Sequence, residues 1–178
     1  MTAEWTAPAV ERSDFPMLAS EREHLRNYLD YLRETLLWKC AGLTGDRLRQ
    51  RAVPPSSLSL LGLVRHLADV ERIWFIARVA GRPDEPYWKT ADNWDADFDE
   101  VDDADAEAAF TRYTSAVAEA REVVEGRPLE ERYTTTDRRG NTYTFDLRWV
   151  HFHLIQEYAR HLGHADIVRE QVDGVTGA

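Results

Sequence analysis

Apolar residues recur at helical spacing along four long stretches of this chain, with ionisable groups among them in two. Leu25, Tyr28, Leu29, Leu32, Leu36 and Cys40 follow one another at three- and four-residue steps. They stand behind Ser20-Glu-Arg-Glu23, a capping-box pattern, which predicts a first helix ending near Gly42 or Gly45. Pro54-Pro55-Ser56-Ser57 breaks the chain and supplies the cap of a second helix running to about Ala80, with Gly81 and Pro83 beyond it. Asp102 or Asp103 caps a third helix, whose buried side is Phe110, Tyr113, Val117, Ala120 and Val124, and Gly126 and Pro128 stop it. A fourth begins near Asp146 or Leu147 and runs to about Val172, ending at Gly174. Between the last two, threonines and aromatics from Tyr133 to Phe145 surround Arg139-Gly140-Asn141, the pattern of a short β-hairpin. Two strands alone are marginal, so the hairpin must lean on the helices. The expected fold is all-α, a four-helix bundle with a short β-hairpin before the last helix. It occupies residues 1–178 as one domain, with 1–18 a loosely held arm.

The fourth helix carries the chemistry. With His153 set at zero, Glu157 falls at about 40°, His161 at about 80° and His164 at about 20° around the axis. Val150, Leu154, Tyr158, Ala165 and Val168 fall at about 60° to 140°, so this polar stripe overlaps the apolar face. Ionisable groups facing a core cost free energy unless something pairs with them, and a metal ion suits imidazoles and a carboxylate. The second helix repeats the anomaly. His66 lies inside the arc formed by Leu60, Leu63, Leu67, Val70, Ile73, Trp74 and Ala77.

The four residues of the stripe cannot all bind one ion, because His153 to His164 spans about 16 Å of helix. Usable pairs are one turn apart: His153 with Glu157, Glu157 with His161, or His161 with His164. Adding His66 makes two histidines and a carboxylate, or three histidines. Either set leaves positions for water or substrate, as catalytic sites do. Zinc, nickel, iron and manganese all accept such a set, and geometry alone does not choose among them.

Composition narrows the partners. Asp and Glu outnumber Lys and Arg by 32 to 22, which argues against nucleic acid and anionic membranes. Nine of the acidic residues lie between Asp92 and Glu107, the pattern of a solvated loop. A single cysteine, Cys40, excludes an internal disulfide and suits a reducing cytoplasm, and its place on an apolar line reads as a small core residue. No basic region precedes an apolar run at the N-terminus, and no window is long enough to span a membrane. The connection from Gly81 to Asp103 is too long for a tight turn and carries Tyr87, Trp88, Trp94 and Phe98. It is expected to fold back over the metal-bearing end of the bundle, with Trp88 and Trp94 as cavity walls.

Leu-Leu-Gly-Leu-Val-Arg-His66-Leu-Ala-Asp-Val-Glu-Arg-Ile-Trp-Phe and Glu157-Tyr-Ala-Arg-His161-Leu-Gly-His164-Ala-Asp resemble the DinB-like superfamily, in its mycothiol-dependent transferase branch. Leu-Leu-Trp-Lys in the first helix and Arg139-Gly140-Asn141 ahead of Leu-Arg-Trp fit the same branch. The superfamily pattern on the last helix is His-x-x-x-His-x-Gly-Gln; here Glu157 stands at the first histidine and His164 at the glutamine. The resemblance implies a bundle of DinB type, a homodimer, and a divalent metal that activates a low-molecular-weight thiol such as mycothiol. The thiol would be transferred to an electrophilic small molecule. Combined with the facing stripes, the motif match selects His66, Glu157 and His161 as metal ligands, with His153 and His164 as alternatives or neighbours. The competing expectations are a metal-dependent hydrolase, which would use bound water, and a non-catalytic metal-binding or dimerisation module.

Overall fold

Capping decides where the long helices begin. The computed structural model describes residues 4–137 and 139–177; residues 1–3 of the expected arm, residue 138 of the hairpin turn and residue 178 lie outside the described residues. Helix α1 spans Glu21–Cys40, and the capping box at its start is complete: Ser20 Oγ accepts from the Glu23 N–H, and Glu23 Oε2 accepts from the Ser20 N–H at 2.9 Å. A short α2, Gly45–Arg49, follows, capped by Thr44. Helix α3, Leu60–Glu71, is capped by Ser59 rather than by Ser56 or Ser57: the Ser59 side chain accepts from the Gly62 N–H at 3.0 Å. It continues without a break as a π-helical segment, Arg72–Val79. Helix α4, Ala96–Asp99, lies in the connection expected to be irregular.

Helix α5, Ala106–Val124, is capped by Asp105, not by Asp102 or Asp103. Asp105 stands three residues before Ala108, whose N–H it accepts at 3.0 Å, whereas Asp102 pairs with Arg51. Strands β1, Arg132–Thr136, and β2, Thr142–Asp146, form the antiparallel hairpin. Asp137 organises its turn by accepting from the Arg139 and Asn141 N–H groups. Helix α6, Leu147–Asp173, starts at Asp146 and ends at Gly174, which adopts the left-handed conformation (φ 78°) that ends many helices.

The four long helices form the bundle, α1 packing against α6 and α3 against α5. One buried polar network takes a residue from each. Arg33 of α1 donates to both carboxylate oxygens of Glu71 of α3, at 2.8 and 2.7 Å. Tyr158 of α6 donates to the same carboxylate at 2.8 Å and lies 3.0 Å from the hydroxyl of Tyr113 of α5. Burial works against the Arg33 charge, but the Glu71 carboxylate outweighs it and raises the guanidinium above its ordinary range. Part of the N-terminal segment packs on the bundle. The Ala7 N–H donates to the Leu43 carbonyl at 2.9 Å, Ala7 is buried, and Trp5 meets Phe110 edge-on at 5.3 Å. Burying these apolar groups offsets the entropy of ordering the segment.

Candidate metal centre

His66 and the α6 stripe face one another across the bundle because α3 and α6 pack together. His66, Glu157 and His161 each offer a ligand atom, and these atoms lie within 4.8 Å of one another. Glu157 Oε2 is 3.4 Å from His161 Nε2 and 3.9 Å from His66 Nε2. Ligand atoms held at about 2.05 Å around a tetrahedral ion are roughly 3.3 Å apart, so the cluster has the dimensions of a shared site. His66 Nε2 is buried and has no hydrogen-bond partner. A buried polar atom without a partner is costly, and here it faces a carboxylate and an imidazole. Two imidazoles, one carboxylate and an orphaned lone pair fit a divalent cation. The three side chains keep 17, 14 and 10 % exposure (His66, Glu157, His161), so the cluster is not sealed from solvent.

Each candidate ligand is held from behind. Asp97 Oδ2 lies 2.8 Å from His66 Nδ1; a carboxylate can only accept, so Nδ1 carries a proton and, in the neutral ring, Nε2 presents its lone pair. Burial would raise the Asp97 carboxyl, but His66 and Lys89 bring it below its ordinary range. Burial likewise works against the His66 charge, yet Asp97 and Glu157 raise its pKa overall. Arg160 Nη2 donates to the other oxygen of Glu157 at 2.6 Å. The His161 and His66 imidazoles, with Arg160, hold the Glu157 carboxyl far below the usual range despite partial burial. Burial lowers His161, against the pull of Glu157.

The two alternative residues are placed differently. His164 Nδ1 is 3.4 Å from His161 Nδ1, behind the ring and away from the atom facing Glu157. His153 packs its ring parallel to Trp149 (centroids 5.0 Å apart, 7° between planes) and against Trp74 at 4.4 Å. It belongs to an aromatic group, and the three converging residues are His66, Glu157 and His161.

The long connection does return along the bundle, by a device that sequence reasoning missed. The fully buried Asp69 carboxylate accepts from the N–H groups of Tyr87, Trp88 and Lys89 at 2.6, 3.3 and 3.3 Å. Asp69 stands one turn beyond His66, so it pins the connection beside the cluster. Helix α4 then sets Asp97 against His66 and Phe98 on the His66 ring, with centroids 5.0 Å apart. The close approach needs a glycine: a Cβ on Gly62 would come within 2.9 Å of the Phe98 ring. The residues of the connection that meet His66 are Asp97 and Phe98. Trp88 lines a cavity together with Arg65 and Arg112, whose guanidiniums lie 5.0 and 5.4 Å from its ring centre, and Trp94 borders a cavity next to the hairpin. Asp97 could have been suspected only as one acid among nine in a stretch that reads as a solvated loop.

Among curated proteins no match to the chain is found. The family model of the mycothiol-S-transferases matches residues 24–174, which include every residue of the cluster and its supports. A match over most of the chain, carrying His66, Glu157 and His161 together, shows that this protein belongs to the mycothiol-S-transferase family.

Proposed function

We propose that the protein transfers a low-molecular-weight thiol of the mycothiol kind to an electrophilic small molecule, with a divalent cation, zinc first, held by His66, Glu157 and His161. Family membership carries the thiol S-transfer. The observation that supports the metal is the partnerless, buried Nε2 of His66 facing Glu157 and His161. Such a cation, when bound, lowers the pKa of a thiol so that thiolate is available at neutral pH.

The protein's own groups supply orientation. Asp97 keeps the proton on His66 Nδ1, Arg160 holds one oxygen of Glu157, and His164 faces the far nitrogen of His161. Phe98 covers one face of His66. The nucleophile must come from a cosubstrate, because Cys40 is fully buried and burial pushes its thiol up to about 12. The thiolate sulfur attacks the electrophilic carbon, forming the C–S bond. The displaced electron pair leaves with the departing group or moves onto a conjugated oxygen that water then protonates. A reducing cytoplasm fits the unpaired cysteine. The homodimer belongs to the same proposal, on the strength of the DinB resemblance alone.

Metal analysis of the purified protein, followed by thiol-consumption assays with mycothiol and an aryl halide, tests this reading. The expected result is about one divalent ion per chain, by the three-ligand geometry, and turnover that a chelator abolishes and zinc restores. Full turnover by metal-free protein would sink the metal's part. Absence of turnover by the metal-loaded protein with every thiol and electrophile tried would sink the transfer.

A further inference from the structure

A cleft of 680 Å³ opens between the hairpin, the π-helical segment and the first turns of α6. Its lining includes Trp74, Tyr143, Phe145, Trp149 and Arg78. Trp74 and Trp149 have ring centroids 5.2 Å apart, and Phe145 lies 5.5 and 5.8 Å from them. Rings from three separate elements thus meet around one space of ligand size. Trp149 and Tyr143 remain 46 and 51 % exposed, an apolar surface that the fold itself leaves uncovered.

Arg78 adds a polar handle. Its guanidinium lies 3.9 Å from the centre of the Trp74 ring, and among the described residues it makes no hydrogen bond or ion pair. Asp84 and Asp137 act on it only from a distance. The Asp137 carboxylate is taken up inside the hairpin turn, and Asp146 caps α6. Trp74 and Arg78 both come from the π-helical segment, a backbone form frequent at functional sites. The cleft stands apart from the metal cluster, none of whose three residues lines it. Trp149, His153 and Glu157 occupy successive turns of α6, so about 12 Å of helix separates the cleft's floor from the ligand carboxylate, with His153 stacked between.

We infer that this cleft is a second ligand site, apart from the metal cluster, and that it binds a planar aromatic molecule carrying a neutral acceptor oxygen. Its ring stacks on Trp149 and Trp74, and its oxygen accepts from Arg78, which can only donate. A carboxylate-bearing ligand fits less well, because Asp137 and Asp146 line the same space and repel it. The preference for a flat ring rests on the cleft's own lining and not on the transfer reading above.

Calorimetric titration of the full-length protein with acetophenone and with cyclohexyl methyl ketone tests the inference, since the two share a carbonyl and differ in the flat ring. Acetophenone is expected to bind more tightly. Trp149→Leu, which keeps an apolar side chain, should weaken it about tenfold through lost stacking and contact. Arg78→Met, which keeps the stem, should weaken it about fivefold by removing one hydrogen bond. His66→Ala should leave acetophenone binding unchanged. Equal binding of the two ketones, no binding of either, or indifference to Trp149→Leu would overturn the inference. Loss of binding in His66→Ala would also overturn it by moving the ligand to the metal cluster. Failure of the transfer reading shows separately, as absent thiol turnover with ring-selective binding intact.

Discussion

His66 Nδ1 and Asp97 Oδ2 are 2.8 Å apart although 31 residues separate them in the chain. The bond fixes which nitrogen of His66 faces Glu157, and carboxylates placed this way behind a ligand histidine raise its basicity. Asp97→Asn keeps the size and removes the charge. It should weaken metal binding about 10- to 100-fold, read by competition with a chelating dye. Unchanged affinity would mean that Asp97 does no more than pair with Lys89.

His66→Ala should cost metal far more than stability. The imidazole is partly exposed, and deleting it removes about 2 kcal/mol or less, whereas a three-ligand site loses a third of its donors. Metal content and thermal melting of the same preparation check this together. Equal metal occupancy in variant and wild type would contradict the assignment.

Gly62→Ala probes the support from a distance. Alanine is favoured over glycine in a helix by about 1 kcal/mol, yet its Cβ would meet the Phe98 ring at 2.9 Å. The expected outcome is a helix no less stable, with weaker metal binding because α4 is pushed outward and carries Asp97 with it. Metal affinity equal to wild type would show that Phe98 can turn aside without moving Asp97.

The Arg33–Glu71 pair offers a test of the bundle apart from the metal. Arg33→Met leaves the Glu71 charge buried with only Tyr158 as donor, and should cost about 3–5 kcal/mol in urea unfolding. Replacing both residues by methionine should cost less than the sum of the two single changes. Additive losses would show that the pair is not coupled.

Cys40 should resist modification. With its thiol buried and pushed up to about 12, it should react with an aromatic disulfide reagent only after denaturant is added. Rapid labelling of the native protein would contradict its place in the core.

Much of the architecture was legible in the sequence because it depends on short-range order. The capping box at Ser20, the hairpin at Arg139-Gly140-Asn141 and the stop at Gly174 are written in neighbouring residues, and the structure carries all three. The apolar periodicity located the four long helices, and the polar stripe on α6 pointed to Glu157 and His161. The cap positions were less legible. Ser59 and Asp105 prevail over nearby residues of the same type because each lies three residues ahead of the amide it accepts from.

The sequence by itself determined which residues could form ligand pairs, since a helix sets side chains three and four positions apart on one face. Helix geometry alone left open whether Glu157 would pair with His153 or with His161, and the motif match selected His161. Tertiary structure decided which of them converge, because Trp74 and Trp149 take the His153 ring while α3 brings His66 opposite the next turn, beside His161. It also decided which acid of the acidic stretch supports the site. Asp97 reaches His66 only because Asp69 gathers the amides of residues 87–89 and Gly62 lets α4 settle onto α3. Those contacts join residues far apart in the chain, and no local periodicity encodes a distance across the bundle.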